Sequence, residues 1–384
     1  MKICFVGSSN TLFTHAYLDI FSKISNDLSF IDSSREQVRN NKSTNEDVTT
    51  VIRTNFSLSQ ESKMKRFLSK MGLDRSHMVS FILAMKENIS SLSCEQYSRV
   101  KEHVRENRPD IIIYFWSTTL KQEKKAIDNS LLELGLKAKS ILIVNTYPVR
   151  TDCNFAQKSI YSIFDKCYFN SFDGLAVPSS EMKEHLRVNG LIEGKKILVS
   201  TDVICPFVKR IPSHKKINND TVDLVFLGNT FFKSRTIDNV EKELVRLTSD
   251  GFNVWVQNSR DIEGNTRLNK FEPFGFEDIL RGELLNFVDR HDGVLMLYNG
   301  LDNARSHCSL PTRFAMALES NVPIFVRSGT FGSLLKNYPN KVFEFSTATD
   351  ISEIIDNWDY VIPSIEYQQP KDQVWSDFIK LILT

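Results

Sequence analysis

The chain has no CxxC pair among its six cysteines, at positions 4, 94, 153, 167, 205 and 308, and no Cys/His cluster with zinc-ligand spacing. That scatter argues for reduced, structural thiols rather than a disulfide framework. Charge of one sign is not in excess either: Lys+Arg is 48 and Asp+Glu is 47. Such balance excludes a general nucleic-acid binder, while leaving room for a local basic pocket that takes a phosphate. Lys2 is followed by only four apolar residues, Ile3 to Val6, before Gly7-Ser8-Ser9-Asn10, too short a core for an export signal. No apolar run approaches a membrane span. The expectation is a cytoplasmic protein without a nucleic-acid partner, with peripheral contact to the inner face of a membrane left open. Low-complexity tracts are missing, as is any carboxylate or His constellation for a metal; Asp292, in His291-Asp-Gly-Val-Leu-Met-Leu297, opens a strand with no second acid beside it.

What is present is the ordinary globular mixture, 41% hydrophobic and 25% charged, over 384 residues, a length that suggests two domains. Short apolar runs alternate with amphipathic stretches. Ile3–Val6 and Leu28–Ile31 read as strands flanking a helix through Ala16, Leu18, Ile20 and Phe21. Residues 34–50 are polar and Asn-rich and read as a loop, and 60–107 carries apolar residues at helical spacing. Ile111–Phe115 is continuously apolar, like a strand buried on both faces of a parallel sheet. Strands at Ile141–Val144, Leu175–Val177 and Ile197–Val199 then alternate with helices over 121–136, 154–169 and 180–189. That order predicts βαβ units with right-handed crossovers.

Residues 206–221 are polar and basic with two prolines, and read as an interdomain linker. A second series follows, with strands at Leu224–Leu227, Val254–Val256, Val294–Leu297, Ile324–Val326 and Val342–Phe345. Its helices are expected near 236–249, 277–290, 312–320 and 349–357, and a last amphipathic helix near 373–383. The fold class is therefore α/β, two Rossmann-like domains facing across a cleft, with room for the C-terminal helix to return to the N-terminal domain. The boundaries are 1–205, linker 206–221, 222–370, and a helix over 371–384.

In open α/β sheets ligands bind beyond the carboxyl ends of the strands, so the loops after strands are the places to look. Gly7-Ser8-Ser9 follows the first strand, and its small residues let backbone N–H groups approach a ligand, although the pattern is not GxGxxG. Gly228-Asn229-Thr230-Phe231-Phe232-Lys233-Ser234-Arg235 follows the first strand of the second series; its glycine permits close approach, and Lys233 and Arg235 neutralise a diphosphate. Arg305, Ser309, Leu310, Pro311, Thr312 and Arg313 lie after strand Val294–Leu297. Pro311 suits the first turn of a helix, whose free amides, with Arg313, can hold an anion.

These segments also carry a resemblance. Residues 173–207 (DGLAVPSSEMKEHLRVNGLIEGKKILVSTDVICPF), 222–235 (VDLVFLGNTFFKSR), 292–300 (DGVLMLYNG) and 309–326 (SLPTRFAMALESNVPIFV) resemble, in order and spacing, the retaining family-four, or "group 1", glycosyltransferases of GT-B architecture. The resemblance covers about half the chain. It implies a metal-independent enzyme without a cofactor, using a nucleoside-diphosphate sugar as donor substrate held by the second domain, and a glycan or lipid-linked acceptor held by the first. Surface polysaccharide synthesis is the implied setting. Arg313 stands where the family has Lys, Met316 where it has the ribose-binding Glu, and Cys308 near its earlier Glu, so phosphate binding carries over by residue and ribose recognition does not. Glu319, one helical turn beyond Met316, is a substitute by spacing. His15, near the first loop, Tyr147, after strand Ile141–Val144, and Glu319 are the candidate catalytic residues, and Gly7, Ser8, Ser9 and Trp116 the acceptor-side ones. Two alternatives share the frame: a nucleotide-sugar epimerase, and a non-catalytic nucleotide-sugar-binding or scaffold protein.

Overall fold

The computed structural model describes residues 1–8, 11–33, 84–85, 88–115, 117–149, 155–200, 221–228, 230, 240–298, 307–309, 312–330, 338–358 and 371–384. It divides into two compact units. Unit 1 comprises Met1–Pro178, Met182–Ser200 and Gln369–Thr384; unit 2 comprises Ser179–Glu181 and Thr201–Gln368.

Unit 1 is built on six parallel strands, β1 (Lys2–Gly7), β2 (Asp27–Asp32), β3 (Ile111–Phe115), β4 (Lys139–Ile143), β5 (Gly174–Val177) and β6 (Lys196–Val199), in the order β2-β1-β3-β4-β5-β6. β3 is buried along its whole length, as a run of Ile and aromatic residues requires when helices cover both faces. The described helices are α1 (Leu12–Ile24), α2 (Cys94–Asn107), α3 (Lys121–Glu133), α4 (Phe155–Asn170) and α5 (Ser180–Val188). Thr11 caps α1, its Oγ1 accepting from Thr14 N at 3.1 Å, and Ser93 with Gln96 forms a capping box on α2.

Aspartates set the entry edge of the sheet. The Asp110 carboxylate accepts from Lys2 N at 2.7 Å, and Asp173 accepts from Ser140 N at 2.8 Å. Each stands just before its own strand and closes the first free N–H of a neighbour. Asp292 repeats the device in unit 2, accepting from Asp223 N at 2.9 Å. The acid that the sequence shows as solitary is therefore a strand clasp at the N-terminal edge, opposite the edge where ligands bind.

The C-terminal helix, α6 of unit 1 in packing terms but last in the chain (Lys371–Leu383), lies against α1. Trp375, 1% exposed, meets Tyr17 and Phe21 edge-on at 5.6 and 5.2 Å. Phe378 and Ile382 rest on Gly174, where any Cβ would come within 2.4 Å of Ile382 Cδ1. So a glycine opens β5 because a helix occupies the space of its side chain.

His103 of α2 is buried, with Nε2 3.8 Å from the Cys4 thiol, and burial holds its imidazole below the ordinary value near 6.5. His185 is depressed by burial as well. A depressed imidazole stabilises the fold while neutral, fully above the unfolded value, and that stability is lost as pH falls through the folded value. Denaturant unfolding of unit 1 should therefore show lower stability at pH 5 than at pH 7, and His103→Gln should flatten the difference; an unchanged difference in the variant would contradict this.

Unit 2 holds β7 (Asp223–Phe226), β8 (Asn253–Gln257), β9 (Asn269–Phe271), β10 (Gly293–Met296), β11 (Ile324–Arg327) and β12 (Val342–Phe345), all parallel, in the order β12-β11-β10-β7-β8-β9. Read from the other end, the unit's strands run third, second, first, fourth, fifth, sixth, the doubly wound dinucleotide-binding order. Leu224, Phe226, Leu244, Leu247, Val254, Val256, Leu295 and Phe325 form its core.

Two features differ from the sequence reading. β9 is a three-residue edge strand, Asn-Lys-Phe, with no apolar run to announce it. The helix expected over 277–290 is two, Phe276–Leu280 and Glu283–Val288, because Gly282 adopts φ 83° and ends helical continuity. The described part of the helix expected over 236–249 is Glu241–Ser249. Residues 34–83, which include the loop read over 34–50, and residues 206–220 of the linker read over 206–221 lie outside the described residues.

Candidate functional site at the strand ends

In unit 2 the strand order reverses between β7 and β10. Both leave the sheet at their carboxyl ends there, opening the crevice in which doubly wound sheets bind ligands. Arg313 stands at this place. It lies in the first turn of the helix Thr312–Leu318, and its Nη2 donates to Leu297 O, just past β10, at 3.4 Å. Its guanidinium carbon is 4.8 Å from the Tyr298 ring centroid and 5.8 Å from that of Phe226, the last residue of β7. Two rings and a carbonyl therefore hold one half-buried cation between the ends of the two switch-point strands.

Gly228 follows β7 by two residues. A Cβ there would lie 1.8 Å from Cζ of Phe226, whose ring is fully buried and has nowhere to retreat. The glycine thus lets the chain fold over the ring that supports Arg313. Gly228→Ala should destabilise unit 2 by about 1–3 kcal/mol through overpacking; urea unfolding indistinguishable from the parent would contradict it. Ser309 and Cys308, beyond β10, are buried, and burial pushes the Cys308 thiol up to about 11, so it stays protonated at neutral pH.

Thr312 opens its helix, while Glu319 follows the helix end, its N–H donating to Met316 O at 3.1 Å, and is half-buried. Met316, at the position where the sequence comparison expects an acid, is 5% exposed and packs inward. Asn229, Lys233, Arg235, Arg305, Leu310 and Pro311 lie outside the described residues.

Unit 1 has its own reversal, between β1 and β3. Gly7 ends β1 so close to β3 that a Cβ would stand 2.5 Å from Phe115 O, a backbone atom that cannot yield. Ser8 follows, its carbonyl accepting from Thr14 Oγ1 at 2.6 Å, and His15 sits one residue further along α1, half-buried. The first loop thus brings Gly7, Ser8 and His15 into one short stretch at the carboxyl edge. Ser9 and Trp116 lie outside the described residues.

Tyr147 is buried in the loop after β4, its OH donating to Asp165 Oδ2 at 3.2 Å. Burial, with the Asp165 charge second, raises its phenol above the ordinary value, so it remains a proton donor. Asp165 also pairs with Lys121 Nζ at 2.6 Å, and Lys121 reaches Asn88 Oδ1 at 2.5 Å. Sequence reasoning missed Lys121 and Asp165, which lie on helices that give no motif. Tyr298 was also missed, although its position one residue past an apolar strand is a readable signal. Among the described residues no group of three or more His, Cys, Asp or Glu is placed to hold a metal, and no helix is long and apolar enough to cross a membrane.

No protein-family model matches the sequence, and no curated protein sequence matches it. Solved structures do. The crystal structure of Anabaena Alr3699/HepE in complex with UDP is similar at a TM-score of 0.56 and 11% identity, covering 100% of this chain and 94% of that one. Sucrose-phosphate synthase (tll1590) from Thermosynechococcus elongatus gives 0.57 at 9% identity, over 100% and 95% of the two chains. The spinosyn forosaminyltransferase SpnP gives 0.51 at 11% identity, with 100% of both chains covered. With two six-stranded parallel sheets of Rossmann type and full-length likeness to these glycosyltransferase structures, the chain has the GT-B fold.

Proposed function

We propose that the chain transfers a glycosyl group from a nucleoside-diphosphate sugar to a glycan or lipid-linked acceptor, unit 2 taking the donor and unit 1 the acceptor, in surface polysaccharide synthesis. The observation that carries the reading is Arg313, a cation braced between the ends of β7 and β10 at the switch point of a doubly wound sheet. The reaction needs such a group. As the glycosidic bond to the donor breaks, the departing diphosphate gains negative charge, and a fixed guanidinium stabilises it with little reorganisation. Lys233, Arg235 and Arg305, which follow the same two strands in the sequence, are the further cations of this reading, and with them it needs no metal ion. Gly228, Asn229, Ser309, Leu310, Pro311 and Thr312 complete its donor-side set. Gly7, Ser8, Ser9 and Trp116 serve the acceptor, with His15, Tyr147 and Glu319 as the residues assigned to chemistry.

The likeness to a structure that holds UDP supports a nucleotide ligand. A thermal-shift screen with UDP, GDP, ADP and CDP tests it. At least one should raise the melting temperature in a concentration-dependent way, because a ligand that binds only the folded state stabilises it by mass action. A flat response to all four sinks the reading in favour of a frame without nucleotide binding. Conversion of a donor sugar to an isomer with no acceptor present would instead favour the epimerase.

A further inference from the structure

Three side chains of unit 1, Tyr114, Asn145 and Tyr168, bury a polar atom without a hydrogen-bond partner among the described residues, and Asn145 is the one in a loop beyond a strand's carboxyl end. It follows β4 by two residues, after Val144, whose N–H donates to Ala176 O at 2.8 Å, so it stands at the carboxyl edge of the sheet between β3 and β5. Only 3% of it is exposed, yet its Nδ2 has no hydrogen-bond partner among the described residues. A buried amide donor without an acceptor is destabilising, and folds rarely keep one without a use.

The segment that carries it is tightly fixed. Two residues on, the Tyr147 ring packs edge-on to Phe169 at 5.3 Å, and its OH is tied to Asp165. Asp165 and Lys121 form an ion pair between α4 and α3 whose side chains are 8% and 17% exposed. Such a pair, closed by a phenol and by Asn88, leaves the strand end little freedom, and a preorganised donor loses little entropy when it meets a ligand.

Charge narrows the ligand. Gly7, Ser8 and Thr146 at this edge are neutral, and His15 lies on α1 beside the first loop; Asp32 ends β2, three strands from β4, Lys371 Nζ meets Ser200 Oγ just past β6, two strands away, at 3.1 Å, and Lys121, the cation tied to this segment, is paired with Asp165 at 2.6 Å. Lys121 is already neutralised by Asp165, so a phosphate would gain little countercharge beside Asn145. A hydroxyl or ring oxygen asks only for a neutral donor. We propose that Asn145 is a ligand-binding residue of unit 1 that donates its amide to an oxygen of a neutral, polyhydroxylated, sugar-type ligand, and that Asp165 and Lys121, which hold Tyr147 and its loop in place, are positioning residues for it. The proposal rests on the glycosyl-transfer reading for the identity of that ligand as acceptor.

The test combines stability with binding. Asn145→Leu keeps the volume and removes the unmatched donor, so its melting temperature should rise by about 2–4 °C. A residue kept for structure would instead lower it. Saturation-transfer NMR with free glucose, galactose, N-acetylglucosamine and rhamnose should detect at least one sugar on the parent chain and none on Asn145→Leu. Tyr147→Phe cuts the tie to Asp165 and should weaken that sugar about 3- to 10-fold while leaving nucleoside-diphosphate affinity unchanged. A lowered melting temperature for Asn145→Leu, no sugar on the parent, or equal sugar signals on parent and variant each overturn the proposal. UDP, GDP, ADP and CDP titrated into the same proteins report on unit 2; if none binds, the proposed function fails while the melting and sugar readouts still decide this inference.

Discussion

Arg313→Ala should weaken nucleoside-diphosphate binding about 30-fold or more while the melting temperature without ligand falls by about 8 °C or less. The size follows from what the side chain offers. A charge-assisted hydrogen bond to a diphosphate contributes about 1.5–3 kcal/mol, and a guanidinium can make two. The modest effect on the fold follows from its position. The residue is half-buried, its hydrogen bond to Leu297 O is long at 3.4 Å, and its ring contacts are worth about 0.5–2 kcal/mol. Arg313→Lys keeps the charge but loses the planar fork, so it should recover part of the affinity and not all of it. Calorimetric titration of both variants with the nucleotide that the thermal screen selects decides the matter. Equal affinity in Arg313→Ala and the parent removes the residue from the site.

The second large effect concerns the last helix. Trp375→Ala should cost unit 1 about 3–5 kcal/mol, the range for deleting a buried aromatic side chain. The indole is 1% exposed and touches three rings, Tyr17, Phe21 and Phe378. Tyr17 and Phe21 in turn contact Phe115 and Phe5, so the cavity opens onto the aromatic core against β1 and β3. Little can move in to fill it: on the same helix, Phe378 and Ile382 already occupy the space above Gly174. Scanning calorimetry should show a lowered transition for unit 1, with nucleotide-induced stabilisation of unit 2 retained. A loss under about 1 kcal/mol would mean that the helix is an accessory to the fold rather than part of it.

Much of this architecture is legible in the sequence because buried parallel strands must be continuously apolar. Ile111–Phe115 and Val342–Phe345 match their strands to the residue. Others shift by one or two, as with Ile141–Val144 against Lys139–Ile143, since the polar ends of a strand pair in the sheet without any apolar signal. β9 is invisible for the same reason taken further: an edge strand of three residues needs only backbone pairing to Trp255–Gln257. The break at Gly282 was readable as a glycine within a helical pattern, but the amphipathic pattern on either side masks it.

The site divides similarly. Glycines and cations after strands are visible, because their chemistry is local to a loop. Gly228 and Arg313 come together since the strand order sets β7 beside β10, which no spacing reveals. The bracing residues are harder still. Phe226 and Tyr298 look like ordinary strand-end apolar positions until the guanidinium is seen against them. Lys121, Asp165 and Tyr147 are separated by 44 and 18 positions along the chain, and only the packing of α3 against α4 and the β4 loop makes them one network. Aspartates 110, 173 and 292 teach the converse: an acid beside a strand invites a catalytic reading, and its place at the entry edge shows a clasp instead.

The most direct test is a crystal structure of the chain soaked with the nucleoside diphosphate that the screen identifies. The account predicts diphosphate oxygens within about 3 Å of the Arg313 guanidinium, beyond the carboxyl ends of β7 and β10. A diphosphate bound elsewhere, with Arg313 still resting on Tyr298 and Leu297 O and touching no ligand, would contradict it.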